Sequence, residues 1–127
     1  MIVGLGVDLV DIARVEALVA RYGERATHKL FSEGETAYAH ARPQPARHFA
    51  SRFAAKEAAF KALAGNDLAR TIGWRDIEVE VERDGQPLLR FHGPAARRAA
   101  ELGVRRAFLS LTHSEASAAA VVVLEGG

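Results

Sequence analysis

Cysteine is absent from the 127 residues of this chain. Disulfides and thiolate metal sites are thereby excluded, and a reducing compartment is permitted. Lysine is scarce: Lys29, Lys56 and Lys61 are the only three, and the other cations are arginines. Net charge is just +1, which argues against a general nucleic-acid binder. No apolar stretch approaches the roughly 20 residues that span a bilayer, and Met1-Ile2-Val3-Gly4 opens no basic leader with a long apolar run. Neither Gly-x-x-x-x-Gly-Lys-Ser/Thr nor Gly-x-Gly-x-x-Gly occurs, so no phosphate loop is present. His28, His40, His48 and His92 read as surface or isolated positions, and no pair of histidines has zinc-ligand spacing. Ser110, Ser114 and Ser117 lack the surroundings of a hydrolase nucleophile. A soluble, cytoplasmic protein with no membrane or nucleic-acid partner is expected.

What is present suffices for one core. With 49% hydrophobic and 26% charged residues the chain reads as globular, a single domain over 1–127. Ile2 to Val10 alternates as a strand. Its Asp8 shares a face with Gly4 and Gly6, which predicts open space beside a carboxylate. Asp11 caps a helix through about Tyr22 that Gly23 stops. Ser32-Glu33-Gly34-Glu35 matches a capping box and starts a short helix to about Ala41. After the break at Arg42-Pro43-Gln44-Pro45, a long helix runs from about Ala46 to Ala64, and Gly65-Asn66 ends it. Leu68 to Arg75 reads as a loop. Ile77 to Val81 and Leu88 to Phe91 flank an Asp84-Gly85 turn, and a helix follows between Pro94 and Gly103. Ala107 to Thr112 and Ala116 to Leu124 form an antiparallel hairpin, the second strand carrying a Val121-Val122-Val123 run typical of buried strands. This order predicts an α+β fold, a mostly antiparallel sheet with the long helix packed on it.

The long helix places its charges where a plain amphipathic helix would not. At about 100° per residue, Phe49, Phe53, Phe60 and Leu63 share one face. Lys56 projects inside that apolar sector, Glu57 lies on its edge, and Lys61 follows one turn later. A carboxylate and two ammonium groups against such a surface need each other, a metal or a bound anion. As an ordinary surface pair, Glu57 and Lys61 would contribute only a few tenths of a kcal/mol. If the helix packs over the first strand, Asp8 and Glu57 converge. Two carboxylates facing a cleft suit magnesium, which keeps several waters and takes further ligands from substrate phosphates. Arg52, Lys56, Lys61 or a histidine would then meet phosphate oxygens, and His113, at a tight connection, is the histidine placed to enter a cleft. Arg14, Arg21 and Arg25 form a stripe within about 40° if one helix continues through them. Such a stripe is either a solvated face or a dock for an acidic partner.

Three segments together resemble one family, the short-class 4′-phosphopantetheinyl transferases. Gly6-Val7-Asp8-Leu9-Val10-Asp11-Ile12-Ala13-Arg14-Val15-Glu16 resembles the first motif. Arg52-Phe53-Ala54-Ala55-Lys56-Glu57-Ala58-Ala59-Phe60-Lys61-Ala62-Leu63 resembles the Lys-Glu-Ala-x-x-Lys motif, and Ser110-Leu111-Thr112-His113-Ser114 resembles the late Ser-x-Ser/Thr-His segment. Phe53 stands where the broader superfamily often has tryptophan, and Thr112 replaces a frequent serine. The resemblance implies transfer of 4′-phosphopantetheine from coenzyme A to a serine of apo acyl carrier protein, for fatty acid biosynthesis. It implies magnesium on Asp8 and Glu57, with Glu57 accepting the serine proton and Lys61 assisting the leaving phosphate. Arg52 and His113 would contact coenzyme A phosphates, and Lys56 would do likewise or orient Glu57. Arg14, Arg21 and Arg25 would dock the acidic carrier, and the family's homotrimer is expected. Two other classes compete: a non-catalytic module that binds an acidic protein through its arginines, and a coenzyme-A-dependent acyl hydrolase. Neither accounts for the central motif.

Overall fold

The computed structural model describes residues 1–127. Strand β1 (Ile2–Asp11) leads into helices α1 (Ile12–Tyr22), α2 (Glu24–Leu30), α3 (Glu33–His40) and the long α4 (Pro45–Leu63). The hairpin β2 (Ile77–Val81) and β3 (Pro87–Phe91) follows, then α5 (Gly93–Leu102), then β4 (Val104–His113) and β5 (Ser117–Gly126). All strand pairing is antiparallel, in a three-stranded sheet ordered β1-β5-β4 and a separate two-stranded sheet of β2 and β3. The α+β architecture with a long helix on antiparallel strands is therefore as expected.

Helix α4 packs on one face of the larger sheet because both partners there are small. Ala54, Ala55, Ala58 and Ala59 are fully buried, as are Ala118 and Val122 of β5. The open space expected beside Asp8 does not exist. A Cβ on Gly6 would sit 1.8 Å from the Ala58 carbonyl oxygen, and one on Gly4 2.4 Å from that of Ala62. The glycines let the helix backbone lie directly on β1. Val121-Val122-Val123 is buried on one face only: Val122 is enclosed and Val121 is exposed. On that outer face β1 leaves Ile2, Leu5, Val7 and Leu9 59–69% exposed, with Phe108 and Val121 beside them across the sheet.

Local rules explain the helix ends. Ser32 Oγ accepts from Glu35 N at 3.1 Å while Glu35 Oε1 accepts from Ser32 N at 2.7 Å, the reciprocal capping box read in the sequence. At the other end of α4, Arg98 of α5 donates from Nε to Leu63 O (2.7 Å) and from Nη2 to Ala64 O (3.1 Å), satisfying terminal carbonyls. Gly23 adopts φ 56°, ψ −132° and separates α1 from α2. The condition for a continuous stripe fails at this point: Arg14 and Arg21 share α1, whereas Arg25 belongs to the next helix. The loop read over Leu68 to Arg75 contains a short 3-10 turn and runs into a second, and is tied to α4 by Trp74, whose ring lies 5.0 Å from both Phe53 (stacked) and Phe60 (edge-on). No helix is long and apolar enough to cross a membrane.

Candidate active site

Helix α4 sorts its charges onto different sides. Lys56 turns inward and is fully buried, its Nζ 2.9 Å from Glu35 Oε1. It also donates to Trp74 O (2.8 Å) and to Ile77 O, so all three ammonium hydrogens are engaged. Glu35 in turn accepts from Val79 N through its other oxygen at 2.8 Å. Burial lowers the Lys56 pKa, with Glu35 opposing. The assignment of Lys56 to phosphate binding is corrected accordingly. The apolar sector it enters is closed by α3 and β2, so its charge joins elements and does not face a cleft.

Asp8 and Lys61 meet where β1 runs beneath α4, with Glu57 one helical turn before Lys61. Lys61 Nζ lies 3.2 Å from Asp8 Oδ1 and donates to Val7 O at 3.0 Å. The lysine thus pairs with the strand and not with Glu57 one turn away, leaving one ammonium hydrogen free. Partial burial, and then the charge of Asp8, push the Glu57 carboxyl above its ordinary range; Lys61 and Arg14 pull the other way. That influence shows that Asp8 and Arg14 both lie within electrostatic reach of Glu57. Two carboxylates held near each other with partial burial fit a hard divalent cation. No cluster of three or more His, Asp or Glu groups completes a metal cage. The donor set therefore matches an ion that takes its remaining ligands from water and substrate.

A second constellation occupies the first turns of the same helix. Arg52, only 4% exposed, places its guanidinium 4.2 Å from the centre of the Tyr38 ring. Arg42 lies 3.3 Å over that ring, and His48 meets it edge-on at 5.6 Å. The Nε atoms of Arg47 and Arg52 are buried without a hydrogen-bond partner. None of Arg42, Arg47, His48, Arg52 or His113 forms an ion pair. Burial lowers the His48 pKa, and Arg52, Arg42, Arg47 and His113 add to the effect. His113, at the end of β4, acts on His48 only as the weakest of these influences. Arg42 and Arg47 carry no motif in the sequence, and His48 reads there as a surface residue. The available signal is the i,i+4 spacing of His48 and Arg52, which puts both on one side of a helix. His48 and Glu57 stand nine residues apart on α4, or about 13 Å along its axis. One helix thus carries a carboxylate end and a cationic end. Arg14 and Arg21 are exposed on α1, as is Arg25 on α2.

Comparison with known proteins adds an independent line. Residues 4–122 match the model of the 4′-phosphopantetheinyl transferase superfamily. A holo-[acyl-carrier-protein] synthase of Alkalilimnicola ehrlichii is 48% identical over 126 residues, 98% of each chain. The solved acyl carrier protein synthase of Mycobacterium tuberculosis is similar with a TM-score of 0.77 and 37% identity, over 100% of both chains. A holo-(acyl-carrier-protein) synthase of Bacillus anthracis, solved in complex with CoA (3′,5′-ADP), gives a TM-score of 0.79 at 30% identity, covering 100% of this chain and 99% of that one.

Proposed function

Because this chain belongs to the 4′-phosphopantetheinyl transferase superfamily, we propose that it is a holo-[acyl-carrier-protein] synthase acting as one domain over 1–127. It moves 4′-phosphopantetheine from coenzyme A to a serine hydroxyl of apo acyl carrier protein, releases adenosine 3′,5′-bisphosphate, and serves fatty acid biosynthesis in the cytoplasm. The observation that carries the reading is the division of α4. At one end Lys61 pairs with Asp8, whose charge also acts on Glu57, while Arg52 at the other lies buried with an unpartnered Nε.

Asp8 and Glu57 would hold Mg2+, which when bound neutralises charge on the pyrophosphate of coenzyme A. The remaining work falls to side chains. Arg52 and His113 grip phosphate groups of coenzyme A and fix its orientation along α4. Glu57 takes the proton of the carrier serine at a carboxylate oxygen, directly or through a water. A bound cation would favour its ionised form and limit its strength as a base, which supports the relay through a water. The serine oxygen bonds to the β-phosphorus as the bond to the adenosine-bearing phosphate breaks. Lys61, with one free hydrogen, stabilises or protonates the departing phosphate oxygen.

Arg14 and Arg21 dock the acidic carrier from α1, with Arg25 contributing from α2. Arg14 also influences Glu57, so a carrier on this surface lies close to the reacting end. The exposed row Ile2, Leu5, Val7 and Leu9 supports a homotrimer, since association would cover an apolar strand face. The test is mass spectrometry of apo acyl carrier protein after incubation with the protein, coenzyme A and magnesium. A gain of one phosphopantetheine, abolished by chelator and by Asp8→Asn, is the expected result. An unchanged carrier, or a gain indifferent to chelator, overturns the scheme.

A further inference from the structure

His48 sits in surroundings that its sequence context does not disclose. Tyr38 of α3 meets its ring edge-on, and the charges of Arg42 before α4, Arg47 and Arg52 on its own helix and His113 of β4 act on it. No carboxylate is among these groups. Arg42 and Arg52 both lie over the ring that His48 touches edge-on. Two guanidinium Nε atoms in this region are buried and have no acceptor. A protein surface that gathers four positive or protonatable neighbours around an imidazole, and strands two buried donors, is built for an anion supplied from outside.

We propose that His48 is a substrate-binding residue that takes up a proton as a phosphate group of coenzyme A settles among Arg42, Arg47, Arg52 and His113. The inference rests on the reading of coenzyme A as substrate. Without ligand, burial and four neighbouring cationic or protonatable groups all disfavour the imidazolium. A phosphate reverses the sign of the local field and favours it. The neutral ring has one N–H; the imidazolium has two, so protonation adds a donor beside the phosphate oxygens. The proton comes from solvent and returns there when the nucleotide leaves.

The sign of the exchange is diagnostic. A phosphate monoester has its second pKa near 6, and cationic surroundings drive it to lose its last proton on binding. Ligand ionisation alone therefore releases protons, whereas His48 takes one up. Affinity falls as pH rises from the pKa of free His48 to that of His48 in the complex, at most about tenfold per pH unit.

Calorimetric titration of the unaltered protein with coenzyme A, and separately with adenosine 3′,5′-bisphosphate, in buffers of different ionisation enthalpy near pH 7 measures the exchange. Net proton uptake with both ligands is expected, and His48→Gln should weaken binding toward low pH and lose both the uptake and the pH slope. Titration of the His48 ring by NMR in the unaltered protein, with and without adenosine 3′,5′-bisphosphate, reads the same event without a substitution. A pKa that does not rise overturns the proposal, as does uptake that persists in His48→Gln and disappears in His113→Gln. Binding without net uptake overturns it while leaving the substrate reading intact. Absence of any binding by the unaltered protein overturns both.

Discussion

At the inner face of α4 the Lys56 ammonium meets the Glu35 carboxylate at 2.9 Å, with both side chains fully enclosed and bonded to main-chain groups of three other segments. Around Tyr38, at the start of the same helix, Arg42 and Arg52 crowd one ring and find no carboxylate. The first region puts two charges out of water; the second buries Arg52 while Arg42 stays exposed. In the first, each desolvated group has a partner inside the chain, and the result is a joint between α3, α4 and β2. In the second no carboxylate forms an ion pair with either guanidinium. Paired buried charge here marks architecture; unpaired buried charge marks a site.

The comparison can be broken most forcefully at Glu57, which belongs to the unpaired class. Glu57→Ala should reduce carrier modification by about 10²–10⁴-fold, the usual scale for a lost general base. Initial rates from carrier mass spectra check this, and undiminished magnesium-dependent turnover would remove Glu57 from the mechanism. Next in size is Lys56→Met, which strands the Glu35 charge. A loss of about 3–5 kcal/mol in urea unfolding is expected, with partial recovery on adding Glu35→Gln. If Lys56→Met instead unfolds normally yet fails to bind coenzyme A, Lys56 belongs with the ligand after all. Arg14→Glu is milder, weakening carrier binding by about 1 kcal/mol and flattening its salt dependence while sparing coenzyme A affinity. Equal loss of both ligands would argue against a docking role. The smallest effect concerns stability. A carboxyl whose folded pKa is raised makes the fold less stable once pH exceeds its unfolded value, so ionised Glu57 is a burden at neutral pH. Glu57→Gln should therefore raise Tm modestly at pH 7 without added metal, and a fall in thermal scans would show that the carboxylate is structurally supported.

Much of this is legible in the chain because it depends on local periodicity. The capping box at Ser32, the break before α4 and the Asp84-Gly85 turn follow from spacing and from residues with narrow backbone preferences. The rest depends on which distant element closes a given space. Helical phase puts Lys56 in an apolar sector, but only the tertiary fold brings Glu35 into that sector as its partner. Glycines at positions 4 and 6 signal room for close approach without saying that a helix backbone fills it. His48 reads as solvated since no local motif ties it to a partner, whereas Tyr38 meets it from another helix.

The contact of Gly4 and Gly6 with the carbonyls of Ala62 and Ala58 has one more consequence. At these points β1 and α4 are registered to each other by main chain lying on main chain. Rotamer changes elsewhere in the core cannot widen that gap, and no substitution of a spacer can tune it. The spacing between strand and helix thus acts like a gauge block, lost at once if a single methyl group is added to either glycine.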